Sequence, residues 1–328
     1  MTSLLFAATS LTVALIAVLA ERLAGYPSII YARIGHPVEW IGALISTLDR
    51  RLNGGPDAGA KRLRGVVAVA VLLVAALAVT VPLTWVLRGI PFGYVVEALL
   101  ATTLLSQRDL RRFVRAVADG LDHSLEAGRA AVRHIVGRDP HALDETGVAK
   151  GAIESLAENT SDGVIAPVLW LIVFGLPGIA LYKAVNTADS MIGYRSEVYR
   201  DFGWAAARLD DMLNLPAARI SGFLFALAAR FDGRKAYEDA LAAMRRDAPD
   251  HVSPNAGWPD AAMAGALGIA LGGPRTYENL AVELPWMGDG RQELTARDIR
   301  SALALYARAL NLLLAVLAVL VGVIWLIG

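Results

Sequence analysis

Long runs without charge alternate with charge-rich stretches along this chain, and the runs are the first thing to place. Residues 2–20 hold no charge and are long enough to cross about 30 Å of hydrocarbon. No Lys or Arg precedes them, whereas Arg22 and Arg33 follow, the reverse of a secretory leader's basic start. An uncleaved span with its N-terminus outside is expected. Residues 65–87 form the second uncharged run, with Trp85 near one end where an interfacial aromatic belongs. Residues 91–106 are a shorter run that contains Glu97. They are expected to return the chain after a turn at Pro91-Phe-Gly93, because basic stretches on both sides belong on the same face. Residues 309–328, with Trp325 near the end, are the last span and put the C-terminus outside.

The charged stretches set the orientation. Arg22, Arg33, Arg50, Arg51, Lys61, Arg62 and Arg64 crowd the first one, and Arg108, Arg111, Arg112, Arg115, Arg129, Arg133, Arg138 and Lys150 the next, so both are placed in the cytoplasm. From Gln107 to Glu158 the apolar residues recur at helical spacing, interrupted at Gly137-Arg-Asp-Pro140, with Asp144 as an N-cap. The fifth apolar run, 163–182, carries Pro167, Gly175, Pro177 and Gly178, poor material for one straight helix. Two half-helices that enter and leave from one face fit it as well as a single span does. Residues 189–307 read as a cytoplasmic helical region, with helices near 205–231 and 235–246, a Pro-rich loop over 247–259, and a small-residue helix from Asp260 to Gly272. The fold class is therefore all-α: a polytopic membrane protein with about four transmembrane helices, a re-entrant or broken central helix, and one integrated domain over 1–328.

Composition agrees with that class. The 328 residues are 55% hydrophobic and 19% charged, with a mean hydropathy of +0.48. Lys plus Arg and Asp plus Glu are equal at 31 each, so no net field draws the chain to nucleic acid. There is no cysteine, which excludes disulfides, thiolate nucleophiles and Cys-ligated metal centres.

Chemistry concentrates where charge meets the central apolar run, because ionisable groups near hydrocarbon must be paired, hydrated or used. Lys150, Glu154 and Glu158 recur every fourth residue on one helix face, and Asp162 follows at the mouth of the run. Converging carboxylates there suit Mg2+, which takes oxygen ligands and bridges to phosphate; a solvated Lys–Glu row is the plain alternative. Asn159 fits either a substrate contact or a cap for the next half-helix. A second cluster holds Asp189, Arg195, Glu197, Arg200, Arg208, Asp210 and Asp211. Arg forks beside carboxylates suit a phosphate and metal site, and equally suit internal salt bridges. His251 and Asn255 lie in the Pro-rich loop. No phosphate-binding loop, dinucleotide fingerprint or Ser-His-Asp order is present.

Several of these segments resemble one family. His36-Pro-Val, Ile135-Val-Gly-Arg-Asp139, Glu154-Ser-Leu-Ala-Glu-Asn-Thr-Ser-Asp-Gly-Val-Ile-Ala-Pro167, Val185-Asn-Thr-Ala-Asp-Ser-Met-Ile-Gly193, Phe202-Gly-Trp-Ala-Ala-Ala-Arg-Leu-Asp-Asp211 and Arg246-Asp-Ala-Pro-Asp-His-Val-Ser-Pro-Asn-Ala-Gly-Trp258 occur in order across nearly the whole chain. They resemble the CobD/CbiB family of adenosylcobinamide-phosphate synthases, inner-membrane proteins of cobalamin biosynthesis. At Gly25-Tyr-Pro27 the chain departs from the Gly-Asp-Pro that the family often has, so no acid role carries over there.

The resemblance implies ATP-dependent amide formation between adenosylcobyric acid and 1-aminopropan-2-ol phosphate, with Mg2+ and a cytoplasmic catalytic face. It implies Glu154, Glu158, Asp189 and His251 as catalytic residues. Lys150, Asn159, Lys183, Asn186, Arg195, Arg200, Arg208 and Asn255 would bind substrate or phosphate, and Glu158, Asp162, Asp210 and Asp211 would hold metal. Expected partners are the corrinoid and amino-alcohol phosphate substrates, the bilayer and other cobalamin enzymes. The competing classes are a transporter, whose midplane site is also built on broken helices, and a non-catalytic membrane partner of corrinoid enzymes.

Overall fold

The computed structural model describes residues 2–26, 28–136, 140–277, 280–282 and 284–327. Gly137, Arg138 and Asp139 of the sequence break, and Pro27 of the Gly-Tyr-Pro turn, lie outside the described residues. The helices run α1 Thr2–Ala24, α2 Ser28–Ile34, α3 Pro37–Leu52, α4 Ala58–Arg88, α5 Gly93–Thr102, α6 Gln107–His123, α7 Leu125–Val132, α8 Glu145–Thr160, α9 Ala166–Ile192, α10 Trp204–Ala229, α11 Arg234–Asp247, α12 Gly257–Leu267 and α13 Ala296–Ile327. Two antiparallel ribbons interrupt the helices: β1 Leu271–Gly272 pairs with β4 Trp286–Met287, and β2 Arg275–Tyr277 with β3 Leu280–Val282. The protein is a polytopic all-α membrane protein. Among the described residues, five stretches are long and apolar enough to cross a bilayer: Leu4–Ala24, Ala58–Arg88, Glu145–Ile192, Trp204–Ala229 and Ala296–Ile327.

The described residues pack as two compact units. The first comprises 1–106, 166–214 and 317–328; the second comprises 107–165 and 215–316. The return expected over 91–106 is the ten-residue α5, which rises about 15 Å, half of a hydrocarbon core. The stretch 204–229, expected in a cytoplasmic region, is instead apolar and long enough to span.

In the first unit α9 decides the architecture. Gly175 takes φ 68° and ψ −156°, which no helix interior allows and which suits a residue without Cβ. Three residues later a Cβ on Gly178 would overlap the Trp170 carbonyl oxygen. Residues eight apart on a straight helix are separated by about 12 Å, so the chain folds back on itself here. The returning half then runs antiparallel to α4. Gly175 faces Arg88 at the end of α4, and Ala184, Ala188 and Ile192 pack with Ala68, Val69, Leu72, Ile45 and Phe202 near its beginning.

A buried polar lock holds the break. The Arg88 guanidinium donates from Nε to Glu97 Oε2 at 3.0 Å and from Nη2 to Glu97 Oε1 at 2.9 Å, and also reaches Ser10 Oγ at 3.1 Å. Glu97 Oε1 accepts the Leu176 N–H at 3.2 Å, satisfying one of the donors that a new helix start leaves without an intrahelical acceptor. The charged residue that weakened the hydropathy of 91–106 is thus the cap of the returning half-helix.

Candidate functional site

Each unit brings together part of the expected site. In the first unit, Lys183, Asn186 and Asp189 lie three residues apart near the end of α9, and Asp210, Asp211 and Asn214 lie on α10. Lys183 Nζ donates to Asn186 Oδ1 at 3.1 Å, and Asn186 Nδ2 donates to Asp210 Oδ1 at 3.3 Å. The other Asp210 oxygen accepts Asn214 Nδ2 at 2.9 Å, and Asn214 Oδ1 accepts the Tyr182 hydroxyl at 2.8 Å. Asp210 is 8% exposed and Asn214 1%, so this chain of contacts fixes a carboxylate that water barely reaches. Asp189 is close enough to Asp210 and Asp211 for their charges to act on it, and Arg195 and Arg208 act on Asp211.

The turn after α9 is cut to fit. The Gly193 N–H donates to the Asp189 carbonyl at 2.7 Å, and a Cβ on Gly193 would overlap the Asp189 carboxylate. The following segment is tied to α3, where Asp49 accepts the Tyr199 hydroxyl at 3.2 Å and Asn53 donates to the Val198 carbonyl at 3.4 Å. Arg195, Arg200 and Arg208 are all exposed, which leaves their forks available to an anionic ligand. Only Arg195 and Arg208 act on the carboxylate cluster as described; Arg200 lies outside it.

In the second unit, Glu158 from α8, His251 from the loop before α12 and Asp260 from α12 converge, with one ligand atom of each within 4.8 Å of the others. It is the one such group of three or more among the described residues. The loop is held tightly. Ser253 N–H donates to His251 Nδ1 at 3.0 Å, and Ser253 Oγ accepts the backbone N–H groups of Asn255 and Ala256, both at 3.2 Å. Gly257 makes room, since a Cβ there would stand 2.5 Å from His251 Cβ. Asn255 is buried at the start of α12.

Other expected site residues make contacts within the fold. Glu154 Oε1 accepts the Gly272 N–H at 2.8 Å, and Lys150 Nζ donates to the Gly272 carbonyl at 3.3 Å while lying 4.4 Å from the centre of the Trp286 ring. One helix face thus grips both backbone groups of one strand residue, where the sequence suggested a catalytic or substrate-binding pair. Asn159 is exposed and donates to the Ser155 carbonyl and hydroxyl, so it completes its own helix. Asp162 sits in a π-helical turn, Ser161–Ile165, and is not one of the three converging ligands. The expected metal set of Glu158, Asp162, Asp210 and Asp211 is divided between the two units.

Sequence reasoning missed Asp260, Asn214 and Tyr182. Asn214 had a signal, standing one helical turn after Asp210. Asp260 opens a run of small apolar residues, and that run reads as packing.

Fold and site define a multi-pass α-helical membrane protein with two polar, carboxylate-bearing groups set among apolar helices. The family model described as CobD/Cbib protein matches residues 14–306, and the chain belongs to the CobD/CbiB family. It is 50% identical over 313 residues to the Cobalamin biosynthesis protein CobD of Sinorhizobium fredii, covering 94% of this chain and 96% of that one. The protein of that name from Rhodobacter capsulatus is 49% identical over 306 residues, 92% and 94% of the two chains, and that from Brucella suis 46% over 317, 94% and 96%. No solved structure matches the chain.

Proposed function

We propose that this protein acts in cobalamin biosynthesis as an adenosylcobinamide-phosphate synthase, joining adenosylcobyric acid to 1-aminopropan-2-ol phosphate at the cytoplasmic face of the inner membrane. The relatives' printed name supports the pathway. The observation that carries the reaction is the network from Lys183 through Asn186, Asp210 and Asn214 to Tyr182, flanked by Asp189, Asp211, Arg195 and Arg208.

A carboxylate does not react with an amine at neutral pH, so the acid must first be activated; ATP, when bound, supplies the phosphoryl group that makes it an acyl phosphate. Exposed Arg195 and Arg208 suit the charge of the nucleotide and amino-alcohol phosphates as planar forks. Mg2+ takes oxygen donors, and Asp189, Asp210 and Asp211 offer them singly; their carboxylates do not converge on one point, so one of them together with substrate phosphate would hold the ion. When bound, it would offset phosphate charge. Asp189, crowded by two further carboxylates, is the group placed to take the proton that the attacking ammonium must lose. The basic stretches before α4 support the cytoplasmic orientation.

The test is an assay of detergent-purified protein with adenosylcobyric acid, aminopropanol phosphate, ATP and Mg2+, following adenosylcobinamide phosphate by mass spectrometry. Product that requires all four, and that falls about 100-fold or more in Asp189→Asn, is the expected result. Folded protein that makes no product with either aminopropanol phosphate or ethanolamine phosphate overturns the reading.

A further inference from the structure

The second unit carries a ligand set that the proposed reaction does not use. Glu158, His251 and Asp260 come from three separate elements, and their ligand atoms lie within 4.8 Å of one another. Ligands of one tetrahedral cation at about 2.0–2.2 Å stand roughly 3.3–3.6 Å apart, so side chains whose ligand atoms all lie within 4.8 Å of one another would close by at most about 1.5 Å to share an ion. Asp260 is 3% exposed. Two carboxylates with a neutral imidazole carry the formal charge that one divalent cation offsets.

We propose that Glu158, His251 and Asp260 bind one divalent first-row transition cation, of the Mn2+ to Zn2+ class, in preference to Mg2+. The imidazole nitrogen carries the preference, because Mg2+ favours an all-oxygen shell and imidazole suits the transition metals. The loop supplies what a metal-bound imidazole needs on its other nitrogen. His251 Nδ1 lies 3.2 Å from the Ser253 carbonyl oxygen as well as 3.0 Å from the Ser253 N–H. With the proton on Nδ1 that carbonyl becomes its acceptor, in place of the bond that Nδ1 takes from the Ser253 N–H in the other tautomer, and the lone pair is then on Nε2. Three protein ligands also leave a coordination position for water or for a phosphate or carboxylate oxygen, the pattern of a working site; closed structural sites use four.

The site is tested by metal binding alone, without nucleotide or corrinoid, so a failed synthase assay leaves it standing. Full-length protein in detergent is stripped with chelator and titrated with Mn2+, free ion being read from its EPR signal. The expected result is one Mn2+ per chain, retained against a large excess of Mg2+, with 14N modulation from a bound imidazole in the pulsed spectrum. Asp260→Asn and His251→Gln should each weaken uptake by about 100-fold, and His251→Gln should abolish the 14N signal, in protein whose metal-free thermal unfolding matches wild type. The proposal is overturned by absent stoichiometric uptake, displacement by Mg2+, or binding unchanged in both variants. The 14N signal is read on wild type, so its absence decides against the site even if the variants fail to fold.

Discussion

Lys150 and Glu154 show how one helix face serves the fold. Their spacing puts them on one side of α8, as expected, but what they face is the backbone of Gly272, 118 positions from Glu154. Glu154 is 6% exposed, so Glu154→Ala strands a buried N–H and should cost about 1–3 kcal/mol in a denaturant titration. Asp210 presents another case, a residue whose support was not visible in the sequence. Asn214→Ala removes the bond that orients its second oxygen, and synthase activity should fall about 10- to 100-fold in the cobinamide assay while the protein stays folded. Gly193→Ala tests the same carboxylate cluster from the backbone side. The added methyl overlaps the Asp189 carboxylate and stands 2.7 Å from the Asp189 carbonyl oxygen, so activity should drop and the melting temperature should fall with it. Asp260 escaped notice because one acid before a run of small residues has no periodic signature; only α8 and the loop brought beside α12 turn it into a ligand.

Charge and glycine within α5 and α9 explain each other. Glu97 made 91–106 a doubtful span, and Gly175 with Pro177 made 163–182 a doubtful helix; the structure joins them, with Arg88, into one buried lock. Arg88→Ala leaves the Glu97 charge fully buried and should destabilise by about 3–5 kcal/mol, and Glu97→Ala, which leaves the part-exposed Arg88, by less. Gly175→Ala forces an L side chain into left-handed φ and brings its methyl within 2.9 Å of Arg88 Nη2, for about 1–3 kcal/mol. Denaturant titration in detergent reads all three, and variants as stable as wild type would mean that the break is held elsewhere. The broken helix was legible as a run of Gly and Pro. Its geometry was not, because φ 68° at Gly175 is tolerated only once Glu97 caps Leu176 and Gly178 accepts the close approach of Trp170.

The path of the chain through the bilayer is open to direct measurement, since the absence of cysteine allows single-site labelling. The returning half of α9 lies antiparallel to α4, with Ser190 toward the start of α4 and Gly175 toward its end. Ser190→Cys should therefore react with an impermeant thiol reagent from the same side as Arg62→Cys, and Phe92→Cys from the other. Ser190 and Phe92 reacting from one side would refute the arrangement. By itself the sequence determined the all-α multi-pass class, the family, and the stretches where charge crowds an apolar run, because hydrophobic length, charge placement and ordered motifs are local properties written along the chain. Tertiary structure alone decided that α9 folds back, that Lys150 and Glu154 brace a strand, that Asp210 rests on Asn214 and Tyr182, and that Asp260 joins Glu158 and His251. Each of those depends on close approach between residues far apart in sequence, and such distances are set by packing, which no local pattern of residue types encodes.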